Sequence, residues 1–183
     1  TSIDNFFNMM GLCVYKVEYI ETHGGSIRVY VRKENLGLPI DTSVHEFLSE
    51  EKECGLTQLS TYKDFGRRVH GMKMNVRKNI DKLKEQYGRI VGYAAPAKAT
   101  TALNFCGIDN NDIEYIAEDN PMKHDKFIPC VNIPIKDKKY FMENLPDVVV
   151  VLAWNFFDYI KEQNQDLIDA GCKFVSMNEL LER

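Results

Sequence analysis

The most constraining feature of this sequence is the apolar run DVVVVLAW at residues 147–154. Four successive valines followed by leucine and alanine leave no polar side for water, and β-branched residues favour strands. A strand that is apolar on both faces is typical of a parallel sheet covered by helices on each side. The run is also far too short to cross a bilayer as a helix.

The segments around this run alternate between strand-like and helix-like patterns from residue 88 onward. Strands are predicted at 89–94, 113–119, near 130–133, at 147–154 and at 173–177. Helices are predicted at 97–106 and at 137–144. A third helix is predicted to follow the strand 147–154 and to run past Ile160, and a short one to follow the last strand. Such alternation, with right-handed crossovers, predicts an α/β fold: a Rossmann-like parallel sheet of four to five strands with helices on both faces.

The preceding residues predict smaller pieces. Apolar residues at steps of three and four predict a long helix over 61–87, and Thr42 or Ser43 is the expected cap of a helix reaching Glu53. A short helix to Met10 and a β-hairpin at 13–33 come first and cannot bury a core alone. The predicted domains are therefore 1–33, the end of a larger domain; 34–41, a linker; and 42–183, the Rossmann-like domain.

Net charge and cysteine content limit which partners, cellular compartment and metal sites are expected. The formal net charge is −4, which argues against a nucleic acid or an anionic membrane as partner. Five scattered cysteines without a CxxC pair indicate reduced thiols in a cytoplasmic protein, with no metal site. No leader of the secretory type is visible at the start of the sequence, and the oligomeric state stays open, a homo-oligomer included.

Ligands of such sheets bind beyond the carboxyl ends of the strands. After the first of these strands, small alanines, Ala95 among them, let a ligand approach the backbone, and the following helix offers free amides to an anion. Lys98, Thr100 and Thr101 add a charge and two hydroxyls. A phosphate or diphosphate cradle and an ordinary turn packed with alanines are equally compatible with this stretch.

Three further places are candidates. Asp119 and Asn120 follow the second strand, where an acidic residue can bind ribose hydroxyls, although Asp-Asn-Pro also suits a plain turn. The indole of Trp154 could stack on a base or sugar, and the amide of Asn155 could form a hydrogen bond to it. The alternative is that the indole belongs to the core. His23 precedes two glycines at a hairpin tip, which turn chemistry also explains. No catalytic set of residues can be assembled.

Four stretches in this order resemble the C-terminal half of the S-adenosylmethionine-dependent sugar C-methyltransferases. They are HGGSIRVYV (23–31), GYAAPAKATTALNFCGI (92–108), EDNPMKHDKFIPCVNIPI (118–135) and PDVVVVLAWNFFDYI (146–160). The family usually has a turn of the GYGA type where this chain has Gly92-Tyr93-Ala94-Ala95. It usually has Pro-Gly where Pro129-Cys130 stands.

This resemblance implies a nucleotide-sugar-binding C-terminal part of an enzyme that methylates a dTDP- or UDP-linked keto-deoxysugar. The family's zinc cysteines, cofactor loop and probable catalytic base would lie upstream of Thr1. The resemblance therefore implies a chain that is inactive alone and binds no cofactor, with S-adenosylmethionine bound elsewhere in the parent enzyme. The alternative is a free-standing Rossmann-like binding or assembly module without methyl transfer.

Overall fold

The computed structural model describes residues 1–34 and 37–182, apart from the side chain of His23. The chain divides into two compact units, Thr1–Arg67 and Arg68–Arg183, with the division falling within one long helix. Asn35 and Leu36 of the predicted linker lie outside the described residues. The predicted domain boundaries refer to a longer protein and stay a prediction.

The N-terminal unit is built on an antiparallel hairpin. Its elements are α1 (Ser2–Met9), β1 (Leu12–Ile20), a 3-10 helix (Thr22–Gly24), β2 (Ser26–Lys33) and α2 (Thr42–Glu53). Val14 and Val17 of β1 pack with Val44 of α2 in a small core. The cap of α2 differs from the prediction, because the carboxylate of Asp41 accepts a hydrogen bond from the Ser43 amide at 3.0 Å. Asp41 therefore caps this helix rather than Thr42 or Ser43.

The C-terminal unit contains the predicted parallel sheet. Its elements are the later part of α3 (Leu59–Tyr87), β3 (Ile90–Tyr93), α4 (Ala97–Cys106), β4 (Ile116–Ala117), β5 (Ile135–Lys136), α5 (Lys138–Glu143), β6 (Val148–Val151), α6 (Phe157–Glu162), α7 (Gln165–Asp169) and β7 (Lys173–Ser176). Short 3-10 helices lie at Pro121–Lys123, Trp154–Phe156 and Glu179–Leu181. No described helix is long and apolar enough to cross a membrane.

All neighbouring strands of this sheet are parallel, in the order β5-β4-β3-β6-β7. Alternate residues of β6 face opposite sides: Val148 and Val150 join one buried cluster, Val149 and Val151 the other. The four valines are fully buried, as the apolar run predicts. The predicted α/β fold is confirmed.

Chain order reverses between β3 and β6, which lie side by side although α4, β4, β5 and α5 separate them in sequence. This is the switch point of the sheet, where ligands of such folds bind.

One strand lies elsewhere than predicted. The residues near 130–133 form no strand, and β5 follows at Ile135–Lys136. The reason is backbone conformation, because Cys130 and Asn132 have φ angles of 69° and 56°. These left-handed values interrupt an extended chain. The segment instead folds back on itself, and the Ile128 amide donates to the Ile133 carbonyl at 2.9 Å.

Candidate functional site

The β3–α4 turn, residues 94–96, lies at the switch point. Ala94 has a φ of 65°, in the left-handed region that costs an L-residue about 1–2 kcal/mol. Pro96 precedes α4 with extended angles, and its missing N–H needs no partner there. Among the described residues, nothing accepts a hydrogen bond from the amides of Ala97 and Lys98. The start of α4 therefore presents two free donors and the positive end of the helix dipole.

A glycine just before the turn has a packing role. Gly92 is buried in β3, and a Cβ built there would lie 2.7 Å from Cγ1 of Ile116 and 3.2 Å from Cδ1 of Leu152. Both neighbours belong to the packed core cluster. Gly92 is therefore needed for the approach of side chains from adjacent elements, not for the approach of a ligand.

The amide of Ala95 is not free, contrary to the expectation that a ligand can approach the backbone at this alanine. It donates to Oε2 of Glu118 at 2.8 Å, and Glu118 is buried at the end of β4. The other oxygen, Oε1, accepts from the Asn120 amide at 3.0 Å. A carboxylate in this position also repels an anion. An anion at this edge is therefore directed toward Ala97 and Lys98 instead of Ala95.

Glu118 has a cation as its third partner. Nζ of Lys123 lies 3.1 Å from Oε2 of Glu118 and donates to the Ala95 carbonyl at 3.0 Å. Burial by itself would raise the pKa of Glu118, but the amides of Asn120 and Ala95 together with Lys123 outweigh it and lower that pKa. The carboxylate is thus charged and links the turns that follow β3 and β4.

Lys98 and Trp154, predicted from two separate segments, come together. Nζ of Lys98 lies 3.9 Å from the centroid of the Trp154 ring, a cation–π contact. Burial lowers the pKa of Lys98, and no carboxylate pairs with its ammonium among the described residues. An ammonium held over an indole without a counter-charge is suited to an anionic ligand.

Trp154 also packs against the core and borders a cleft. The indole is half-buried, so it has a core role, and its stacking on a base or sugar stays a prediction. The cleft is apolar and has a volume of about 130 Å³. Its other lining residues include Val69, Met72, Ala102, Phe105, Met177 and Leu181.

The remaining predicted residues of this edge have smaller roles in the structure. Thr101 and Asn155 are exposed, and Thr100 is half-buried, with its carbonyl accepting a hydrogen bond from Asn104. Asn120 caps the next 3-10 helix by accepting from the Met122 amide at 3.0 Å. That contact is the turn role which Asp-Asn-Pro suggested. It leaves any contact of these residues with a ligand as a prediction.

Asp119 is exposed and accepts a hydrogen bond from the Tyr93 hydroxyl at 3.1 Å. Burial, followed by the charge of Asp119, raises the pKa of Tyr93 to about 12, so this phenol stays protonated at neutral pH. Asp119 is therefore tied to the end of β3 and retains open acceptor positions toward solvent.

His23 belongs to the N-terminal unit, in the 3-10 helix Thr22–Gly24, and its side chain lies outside the described part of the structure. Its predicted role stays a prediction. The N-terminal unit has its own apolar cleft of about 230 Å³, lined by residues that include Val14, Val44 and Phe47. No group of three potential metal ligands occurs within residues 1–34 and 37–182.

Sequence reasoning missed Glu118 and Lys123. Glu118 is the penultimate residue of the predicted strand 113–119, and an acidic residue directly after the apolar Tyr115-Ile116-Ala117 was the available signal. The adjacent Asp119 matched the same pattern, so the sequence could not choose between them. Only the fold shows that Glu118 points into the protein and Asp119 toward solvent.

Two comparisons bear on identity. The family described as C-methyltransferase C-terminal domain matches residues 21–177. C-methyltransferase NovU from Streptomyces niveus is 27% identical over 174 residues, which cover 95% of this chain and 41% of that protein. The chain thus spans less than half the length of this curated relative.

Proposed function

Because the chain belongs to the C-methyltransferase C-terminal domain family, we propose that it is the nucleotide-sugar-binding part of an S-adenosylmethionine-dependent C-methyltransferase. The substrate is a dTDP- or UDP-linked keto-deoxysugar, the class of substrate on which the family resembled by the sequence acts. The part described by this sequence binds the nucleotide diphosphate and is inactive alone.

One observation carries the proposal: the unpaired ammonium of Lys98 over Trp154, beside the free amides at the start of α4. A diphosphate needs positive charge and several donors, and a helix start with a lysine provides both. The aromatic ring adds a surface for a base or sugar. This arrangement lies at the switch point, where open α/β sheets bind their ligands.

The proposed contribution to methyl transfer is orientation. The reaction removes a proton beside the sugar ketone, and the resulting enolate carbon attacks the sulfonium methyl group. Binding energy from the distant diphosphate holds the reacting carbon in place, which lowers the entropy cost of the step. No residue of this chain is assigned to the proton transfer.

We assign the methyl donor to another part of the parent enzyme. S-adenosylmethionine, when bound there, supplies the methyl group. The β3–α4 turn does not fit a glycine-rich cofactor loop, because Ala94 and Ala95 occupy it and Glu118 holds the Ala95 amide. A cytoplasmic location is proposed with the enzyme.

Titration calorimetry of the 183-residue chain with uridine and thymidine diphosphates tests this proposal. We expect weak binding and amide shifts in NMR spectra at Lys98–Thr101. Lys98→Met should lower the affinity about tenfold, the loss of about 1.4 kcal/mol of charge-assisted contact. Lys161→Met is the matched control, because Lys161 also lies over a ring, that of Phe157, at 5.4 Å.

The control should change the affinity less than about twofold, a difference of about 0.4 kcal/mol. Equal losses in the two variants, or shifts confined to the amino ends of the strands, would contradict the proposed site. Uridine without phosphates should bind more weakly than uridine diphosphate. Equal binding of the two would show that the diphosphate is not what the chain recognises.

A further inference from the structure

The left-handed conformation of Ala94 requires support from its surroundings. An L-residue keeps such a φ only where neighbouring contacts over-determine the backbone. Three hydrogen bonds do so here. The Ala94 amide donates to the Ala117 carbonyl at 2.8 Å, and both the amide and the carbonyl of Ala95 are held by the Glu118–Lys123 pair.

We propose that Glu118 is the positioning residue of the β3–α4 turn and that Lys123 is its counter-charge. The pair fixes the peptide groups that flank Ala95 and so stabilises a turn that a glycine at position 94 would adopt without strain. Glu118 acts through the backbone and contacts no ligand. Through the turn it sets where the free amides of Ala97 and Lys98 point.

The three donors around Glu118 explain why a carboxylate is needed. The Ala95 amide, the Asn120 amide and the Lys123 ammonium all point at its two oxygens. A glutamine has one acceptor oxygen, and its NH₂ group would face a donor. At a site that is 8% exposed, water cannot replace the lost contact readily. Glutamine therefore fits the space, but its NH₂ group faces either the Asn120 amide or the Ala95 amide and Lys123.

The role of this turn in ligand binding rests on the proposed function, whereas the conformation of the turn does not. The experiment separates the two by measuring the unliganded chain first. Hydrogen exchange of backbone amides is followed by NMR in the wild type and in Glu118→Gln. We expect at least one of the two amides that Glu118 binds, those of Ala95 and Asn120, to exchange about tenfold faster in the variant, while amides of β6 exchange at unchanged rates.

Glu114→Gln is the control, because Glu114 is exposed and pairs with Arg89. It should leave the amides of Ala95 and Asn120 unaffected. Unchanged exchange of both amides in Glu118→Gln would overturn the proposal. So would an equal acceleration of amides throughout the unit, because that result indicates a structural role alone.

Rescue by glycine distinguishes positioning from general stability. In the Ala94→Gly background the turn no longer depends on Glu118, so the double variant should recover most of the nucleotide affinity that Glu118→Gln loses, a loss we expect to be about tenfold. Failure of rescue would overturn the proposal. If the wild type binds no nucleotide, the proposed function fails and the exchange result still decides the positioning role.

Should Glu118→Gln fail to fold, the double variant Glu118→Gln/Lys123→Met removes both charges and leaves no unpaired ion in the interior. We expect the same local acceleration at Ala95 or Asn120. No acceleration at either amide in this double variant would overturn the proposal as well.

Discussion

Two kinds of turn in the C-terminal unit use different residues for the same backbone conformation. In the described part of that unit, the left-handed residues where helices end are glycines: Gly88 after α3, Gly107 after α4 and Gly171 after α7. In the turn after β3 and in the segment between β4 and β5, left-handed conformations instead belong to Ala94, Asp125, Cys130 and Asn132.

This difference separates turns that are relaxed from turns that are held. Glycine adopts a positive φ without steric cost, so the turns at the helix ends need no further support. The turns with other left-handed residues need specific contacts, and strained residues of this kind concentrate at functional sites. The family that the sequence resembles usually has glycine where Ala94 and Cys130 stand, and both positions are left-handed here.

The two ends of β4 differ in a second way, because each is followed or preceded by one buried carboxylate with different partners. Asp112 pairs with Arg77 and Lys84 of α3, and its Oδ2 lies 2.5 Å from Nη1 of Arg77. Glu118 pairs with Lys123 and two backbone amides. Asp112 thus ties a loop to a helix of the scaffold, whereas Glu118 ties together two turns at the proposed binding edge.

The largest effect is expected from Asp112→Asn. Removing one member of a buried ion pair leaves the charge of its partner poorly compensated. Because Arg77 is partly exposed, water reduces this cost, and we expect the free energy of unfolding to fall by about 2–3 kcal/mol. Asp81→Asn is the control, since exposed Asp81 pairs with the same arginine and should cost less than about 0.5 kcal/mol. Urea unfolding measures both, and equal losses would contradict the scaffold role of Asp112.

Gly92→Ala should cost about 2 kcal/mol, because the added methyl group would overlap Ile116 in the packed core. Gly71→Ala in α3 is the opposite case, with open space around its Cβ and an expected gain of about 0.5–1 kcal/mol. Thermal unfolding of the two variants separates a packing glycine from a replaceable one. An unchanged melting temperature in Gly92→Ala would show that the core side chains can move to accommodate the methyl group, which would contradict the packing role of this glycine.

A pH titration of unfolding should show the charge on Glu118. Its pKa is lowered in the folded protein, so the stabilisation is present above the unfolded pKa and is lost as the pH falls through the folded pKa. Stability in acid should therefore decline less steeply in Glu118→Gln than in the wild type. Parallel pH profiles of the two proteins would rule out this contribution.

The smallest effects come from exchanging the residues of the two kinds of turn. Gly107→Ala should cost about 1 kcal/mol through backbone strain alone, because nothing lies within 4 Å of the added Cβ. Ala94→Gly should gain about 0.5 kcal/mol, the relief of strain less the added entropy of the unfolded chain. The midpoints of denaturant unfolding measure both, provided that the dependence of the unfolding free energy on denaturant concentration is the same in each variant. A destabilising Ala94→Gly would contradict the inference that the turn after β3 is strained.

Elements with local signals can be predicted from the amino-acid sequence. The pattern over 97–106 predicts a helix at the observed bounds, because Pro96 favours its start and Gly107 adopts the left-handed conformation that ends it. The buried strand at residues 148–151 followed from apolar side chains on both faces. The sequence also predicts that Lys98 and Trp154 lie at the same edge of the sheet, because parallel strands place their carboxyl ends together.

Contacts that join distant residues depend on how the chain packs in three dimensions. The pairing of Glu118 with an amide 23 residues earlier depends on which of two adjacent carboxylates points inward, and sequence spacing cannot express that choice. The displacement of β5 from the predicted position depends on left-handed residues that are not glycine. Side-chain direction and backbone strain are set by packing across the sheet, which is why the supporting residues of the candidate site came from the fold alone.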